Sequence, residues 1–141
     1  MDIGVMAAPF RGEDLADVFA YLDDIGVDAV ELGTKPDRLV PVDRYHDFEE
    51  NQAALLGLAD RYDLRISALL TSNNPIHPDE AVADPADVQV RRTIELADQL
   101  DVDTVICFSG LPGGGPNDEV PNWITAPWPT EHAEALAYQW E

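Results

Sequence analysis

Cysteine is almost missing from this sequence. Cys107 stands alone among 141 residues, so no disulfide can form within the chain, and a reducing, cytoplasmic setting is the expectation. Lysine is just as scarce: Lys35 is the only one, and eight basic residues face 28 acidic ones, for a net charge of −20. A surface of that sign repels phosphate backbones and anionic lipid, which argues against general binding of nucleic acid or of a membrane surface. No apolar run approaches the ~20 residues that a bilayer-spanning helix needs. Met1-Asp2-Ile3 enters a strand pattern with no leader-like segment before it. What is present is one acidic domain whose 45% hydrophobic content is enough for an ordinary core. Such a surface suits concentrated salt, where counter-ions screen self-repulsion; an acidic soluble domain with no such adaptation fits the same composition.

Three stretches resemble one another: "DIGVDAVEL" from Asp24, "RYDLRISAL" from Arg61 and "QLDVDTVIC" from Gln99. Each ends a helical pattern, turns at Gly26, Asp63 or Asp101, and enters an apolar run at Val27, Leu64 or Val102, spaced 37 and 38 residues apart. That period, with helix and strand alternating, predicts successive βα units. The strands fall at about Asp2–Ala7, Asp28–Leu32, Leu64–Leu70 and Asp103–Phe108, short and almost continuously apolar, as strands buried on both faces are. The first helix carries Leu15, Val18, Phe19, Leu22 and Ile25 as one stripe. The second is expected to open at Asp47 with a capping box to Glu50 and to bury Phe48, Leu55, Ala59 and Tyr62. The third is expected to open at Asp84-Pro85, with Val90, Ile94 and Ala97 on one face.

Helix-to-strand links are one or two residues long, while strand-to-helix links grow from about five residues to about twenty-one. Long loops therefore gather at the C-terminal ends of parallel strands, where α/β proteins build their sites. A fourth helix begins near Thr130, and the chain ends at Glu141 with neither a glycine cap nor a basic last turn. Four units at this period make the N-terminal half of a (β/α)8 barrel, a single partial TIM-barrel domain over 1–141 cut within the fourth helix. The competing fold, a small doubly wound sheet, usually places a glycine-rich nucleotide turn after strand one, and "MAAPFRGED" has none.

The upper loops hold the residues with chemistry to offer. "ICFSGLPGGGPNDEVPNW" lacks the lysine and hydroxyl residue of a Walker motif and lies far from the next helix, so its glycines read as reach in a long loop. In "TSNNPIHPDE" two prolines restrict Asn74 and His77. Asn74 both donates and accepts, which suits sugar hydroxyls; His77 can donate, shuttle a proton or bind metal; either could instead satisfy loop backbone. Glu31 closes the apolar "DAVEL" at the pocket end of strand two, where a carboxylate is costly unless the site pairs or solvates it. Arg11, Lys35, Arg38 and Arg44, half of all the cations, sit in the first two upper loops. They could draw in an anionic substrate or be ordinary surface charges. Trp123 and Trp128 could wall the site or pack the loop, His46 and His132 have no motif around them, and Cys107 reads as a small buried hydrophobe.

At these motifs, "VELGT" (30–34), "ISALLTSNNPIHP" (66–78) and "FSGLPGGGPNDEVPNWITAPWP" (108–129), the chain closely resembles the xylose-isomerase-like sugar phosphate isomerase/epimerase family. Its acidity resembles members from salt-loving archaea. The resemblance covers the entire chain. It implies a TIM barrel, a small-molecule sugar or sugar phosphate as substrate, a divalent metal (Mn, Mg, Zn or Co) and isomerisation or epimerisation by proton transfer beside a carbonyl. In such relatives the metal ligands and catalytic acids come mainly from strands five to eight, so no metal ligand and no catalytic residue is assigned in this chain. The resemblance transfers a substrate-facing role to Glu31, Asn74, His77 and Ser109, with Trp123 and Trp128 lining the pocket. Where many relatives have histidine-glycine before Asn-Pro, this chain has Ser72-Asn73, which removes one polar contact. The related endonuclease IV group uses histidine ligands near the positions of Ser72 and Ser109, so its abasic-site cleavage ranks low. The alternative, from another class, is a non-catalytic half-barrel that joins its open sheet edges to a second copy or to a partner, a possible homo-oligomer.

Overall fold

A computed structural model describes residues 2–113 and 118. Its order is β1 (Gly4–Met6), a 3-10 turn (Ala8–Phe10), α1 (Leu15–Asp24), β2 (Ala29–Gly33), α2 (Val42–Tyr45), α3 (Glu49–Arg61), β3 (Arg65–Thr71), α4 (Glu80–Gln99) and β4 (Val105–Cys107). The four strands form one parallel sheet in the order β1-β2-β3-β4. This α/β arrangement is that of part of a TIM barrel. Among the described residues no helix is long and apolar enough to cross a membrane. By its contacts the chain divides into two units, Met1–Ser72 with Gln89–Cys107, and Asn73–Val88 with Phe108–Glu141.

The first unit is built on one repeated device. Gly26, Asp63 and Asp101 all have positive φ, at 75°, 49° and 56°. Behind each, the helix closes with the same pair of bonds: Gly26 N to Asp23 O with Val27 N to Leu22 O, Asp63 N to Asp60 O with Leu64 N to Ala59 O, and Asp101 N to Asp98 O with Val102 N to Ala97 O. These are three Schellman ends, each satisfying carbonyls that the helix leaves open. The residues five apart across each turn, Leu22 with Val27, Ala59 with Leu64 and Ala97 with Val102, all join the apolar core. So the turn that stops each helix also seats a core residue just ahead of the next strand.

That core lies on one face of the sheet. Val18, Phe19, Leu22, Leu55 and Leu96 from the helices cluster with Val5, Val30, Leu32, Ile66, Leu69 and Val105 from the strands. Each large side chain buried there stabilises the fold by about 1.5–3 kcal/mol. Asp14 caps α1, its Oδ1 accepting from Ala16 N at 2.8 Å. At the top of the sheet the buried Thr34 holds α4 in place. Its hydroxyl lies 2.9 Å from that of Thr93, whose own oxygen is 2.8 Å from Gln89 O, while Gln89 Nε2 donates to Thr34 O at 2.9 Å. Thr71, fully buried at the end of β3, has no hydrogen-bond partner for its hydroxyl among the described residues.

Several expectations are corrected. The helix expected to open at Asp47 begins at Glu49 behind Phe48, which gives no side-chain cap, and the separate turn α2 precedes it. Asp47 is drawn away by stronger partners: His46 Nδ1 at 2.7 Å and Arg92, which also binds Asp43. Phe48 and Ile25, placed on buried stripes, are 47% and 50% exposed. α4 starts at Glu80 and contains Pro85. Asp79 caps it, its Oδ1 accepting from Ala81 N at 2.9 Å, and the helix-forming "EAVA" extends it ahead of the proline at the cost of one backbone bond. On α4, Thr93, Leu96 and Ala97 are buried and Ile94 is exposed. Cys107 is exposed, because it lies on β4, a border of the sheet.

Replacing Asp63 or Asp101 by glycine is expected to stabilise the chain by about 0.5–1 kcal/mol, read from denaturant midpoints, since glycine takes a left-handed turn without the Cβ penalty. A fall in stability would refute the Schellman assignment. A second expectation concerns Asp47, whose carboxyl is held below its ordinary pKa chiefly by the bond from His46. Desolvation works against this, and the charges of His46 and Arg92 and the bond from Arg92 add to it. A depressed carboxylate pKa contributes stability above its unfolded value, near 3.9, which is lost as pH falls through the folded value. In His46→Gln, carboxyl NMR should therefore show Asp47 titrating at higher pH than in the wild type.

Candidate functional site

In the first unit the site begins with an irregularity. β2 and β3 pair in step as far as Val30 with Ile66; Glu31 then stands opposite Ala68, so Ser67 is an extra residue in β3. Its hydroxyl donates to Val30 O at 3.1 Å. Such bulges re-aim side chains, and this one sets a small residue beside Glu31 where a serine would otherwise stand. Met6 is the neighbour on the other side. Val30 and Leu32 point into the helix-packed core, so by the two-residue alternation of a strand Glu31 and Gly33 belong to the opposite face. There Met6 is 49% and Ile106 38% exposed. Glu31 is half-buried on that face, and its carboxylate makes no hydrogen bond or ion pair with any described residue. A carboxylate kept half out of water without a partner is costly in a structure and useful in a site.

The basic residues of the first two upper loops separate by role. Arg11 bonds Asp37 at 3.2 Å. Arg38, its side chain 21% exposed, faces the other oxygen of Asp37 at 3.6 Å and donates to Ala8 O at 3.4 Å, reaching from the second loop to the first. Its stem lies on the end of β2, where a Cβ on Gly33 would come within 2.9 Å of Arg38 Cγ.

In the second unit Asn74 is committed to the backbone. Its Nδ2 donates to Leu111 O at 2.7 Å and its Oδ1 accepts from Leu111 N at 2.8 Å, tying the loop after β3 to the loop after β4. Gly110 makes this possible: its φ is +94°, and a Cβ there would press on Asn74 Oδ1 and lie 2.6 Å from Ile76 Cγ1. Asn74 still has one N–H and one lone pair to offer. His77 Nδ1 accepts from Asp79 N at 2.9 Å, which in the neutral ring leaves the proton on Nε2. Ser109 is exposed, and Trp123 and Trp128 lie outside the described residues, as do His132 and the predicted fourth helix. Sequence reasoning named Arg38 only within a group of four cations. The signal that singles it out is the glycine closing "VELG", two places after Glu31, where the strand must be bare for a neighbour to lie on it. A groove lined by Ile94, Ala97, Asp98 and Val102 lies at the start of β4, the end of the sheet that serves stability in barrels.

Among the described residues no group of three histidines, cysteines or acids could hold a metal ion. Among the described residues, then, the divalent metal that the resemblance implies has no fitting site.

Gly110→Ala is expected to destabilise the chain by about 1–3 kcal/mol, combining left-handed strain with overpacking. Asn74→Ala should lose about 1–2 kcal/mol, for two backbone bonds. In the double variant the losses should not add, since both break the same staple. Full additivity in urea melts would count against it.

The xylose isomerase-like TIM barrel family matches residues 19–137. An uncharacterized protein of Bacillus subtilis, YfiH, is 35% identical over 130 residues, covering 89% of this chain and 41% of the relative, so the chain spans less than half of that protein's length. The crystal structure of AsbF from Bacillus anthracis, a probable 3-DHS dehydratase involved in petrobactin synthesis, superposes with a TM-score of 0.55 at 15% identity, over 79% of this chain and 39% of AsbF, a likeness of fold. On these matches and its parallel sheet, the chain belongs to the xylose isomerase-like TIM barrel family.

Proposed function

We propose that this chain is the substrate-binding N-terminal part of a sugar or sugar phosphate isomerase/epimerase, an enzyme that moves a proton beside a carbonyl. The observation that carries this reading is Glu31: a half-buried carboxylate, unpaired among the described residues, on the face of the sheet away from the helices, toward the C-terminal ends of parallel strands. Its role is to accept hydrogen bonds from sugar hydroxyls and orient the carbon chain. Proton transfer and the divalent metal belong, in this reading, to the longer proteins of the family, in sequence outside these residues. The acidity and single cysteine support a cytoplasmic, salt-adapted protein that binds neither nucleic acid nor membrane.

A second reading has its own support. Met6 and Ile106 are open on the uncovered sheet face, and β1 and β4 have no outer neighbour among the described residues. In that reading the chain is a non-catalytic half-barrel that associates through these borders. Two measurements decide. The purified chain with manganese or magnesium is expected to give no aldose–ketose or epimer turnover, as followed by NMR of the sugar, unless the remainder of a longer relative is supplied. Activity from an isolated monomer would overturn the division of labour. Light scattering of a stable, well-folded monomer would remove the second reading.

A further inference from the structure

Two opposite charges stand on the same face of the end of β2. Gly33 follows Glu31 by two residues, a separation of about 6.6 Å along a strand, and no irregularity falls between them. The stem of Arg38 rests on Gly33 so closely that any side chain there would displace it. Glu31 and Arg38 nevertheless do not pair with each other. Arg38 is mostly buried, yet it donates one long bond to Ala8 O and faces Asp37 only at 3.6 Å, beyond hydrogen-bond reach. Its Nη2 has no partner among the described residues. Asp37 divides its two oxygens between Arg11 and Arg38, so these three side chains carry two positive charges and one negative. A local cation is notable where the whole chain carries −20. A guanidinium offers up to five donors in a planar fork that matches a carboxylate or phosphate.

We propose that Arg38 is the anchor for an anionic group on the substrate, a phosphate ester or a carboxylate, with Glu31 taking the hydroxyls beside it. The inference rests on the sugar reading and narrows it: the substrate is a charged sugar, and the neutral sugar is a poor ligand. The arrangement gives each half of such a substrate its own recognition. Glu31 alone would repel the anion, and Arg38 alone would bind any anion without regard to its carbon chain. Gly33 takes part by having no side chain, which lets the guanidinium lie along the strand end instead of extending into solvent.

The test uses the full 15N-labelled chain, titrated at matched ionic strength with glucose 6-phosphate, gluconate and glucose. The Nε–Hε signal of Arg38 and the amide of Gly33 should shift saturably with at least one of the two anions, with an affinity about tenfold or more above that for glucose. Whichever anion binds identifies the group as phosphate or carboxylate. Arg38→Gln, which keeps the stem on Gly33 and whose spectrum reports an intact fold, should bind that anion no better than glucose; Arg38→Lys should recover part of the preference. Equal affinity for glucose and both anions, or unchanged anion binding in Arg38→Gln, overturns this inference and leaves the sugar reading standing. Failure of all three ligands to bind overturns both.

Discussion

Everything else in the described sheet depends on how the helices stop. Three times the chain ends a helix with one left-handed residue and the same two crossed backbone bonds. The residue directly after it, Val27, Leu64 or Val102, is already in the core, one to three residues ahead of the next strand. That tight end leaves no slack at the bottom of the sheet. Additional chain can enter only between strand and helix, which is where "GTKPDRLVPVD" and "SNNPIHPD" occur. The asymmetry that sends function to one rim of a barrel is thus a consequence of helix termination.

The bulge at Ser67 adds a second constraint. A parallel sheet packed by helices on one face commits every other residue to that face, and a shift of one residue exchanges the faces. By absorbing one residue in β3, the bulge keeps Ile66 and Leu69 both in the core while turning Ala68 toward Glu31. The carboxylate gains a small neighbour and room around it. Gly33 does the same one step higher by leaving space for Arg38. Both charged groups therefore owe their positions to what is small or absent beside them.

This also explains what could be read from the sequence. The turns at Gly26, Asp63 and Asp101, the four strands and the parallel half-barrel class were legible, because local propensity and hydrophobic period point the same way there. Helix starts were less so. "HDFEE" offers Asp47 as a cap, but His46 and Arg92 compete for its carboxylate, and Arg92 lies 45 residues away in the chain. Asp84-Pro85 has the local form of a helix start, and only the earlier cap at Asp79 overrides it. Asn74 was identified as polar and adaptable, whereas its tie to Leu111 depends on a glycine in another loop. Ile94 and Cys107 were assigned to the interior by their chemistry, which carries no information about whether a further strand or helix stands beside them.

Charge brings these points together. Twenty-eight acids cover a small domain that has eight cations, and most of the cations with described partners are bonded to acids on the surface. Arg38 is sheltered, carries donors no described acid has taken, and its stem lies over Gly33, a strand position with no side chain. In a molecule whose field repels anions, long-range attraction cannot bring a negatively charged substrate to the rim. On the charged-sugar proposal, selectivity comes at short range, from a guanidinium whose directional bonds form only on contact. At high ionic strength such contacts keep more of their strength than diffuse attraction does, because screening acts most on charges far apart. On that proposal an acidic surface and a sheltered arginine at the strand end are compatible, the arginine acting on a ligand only at contact.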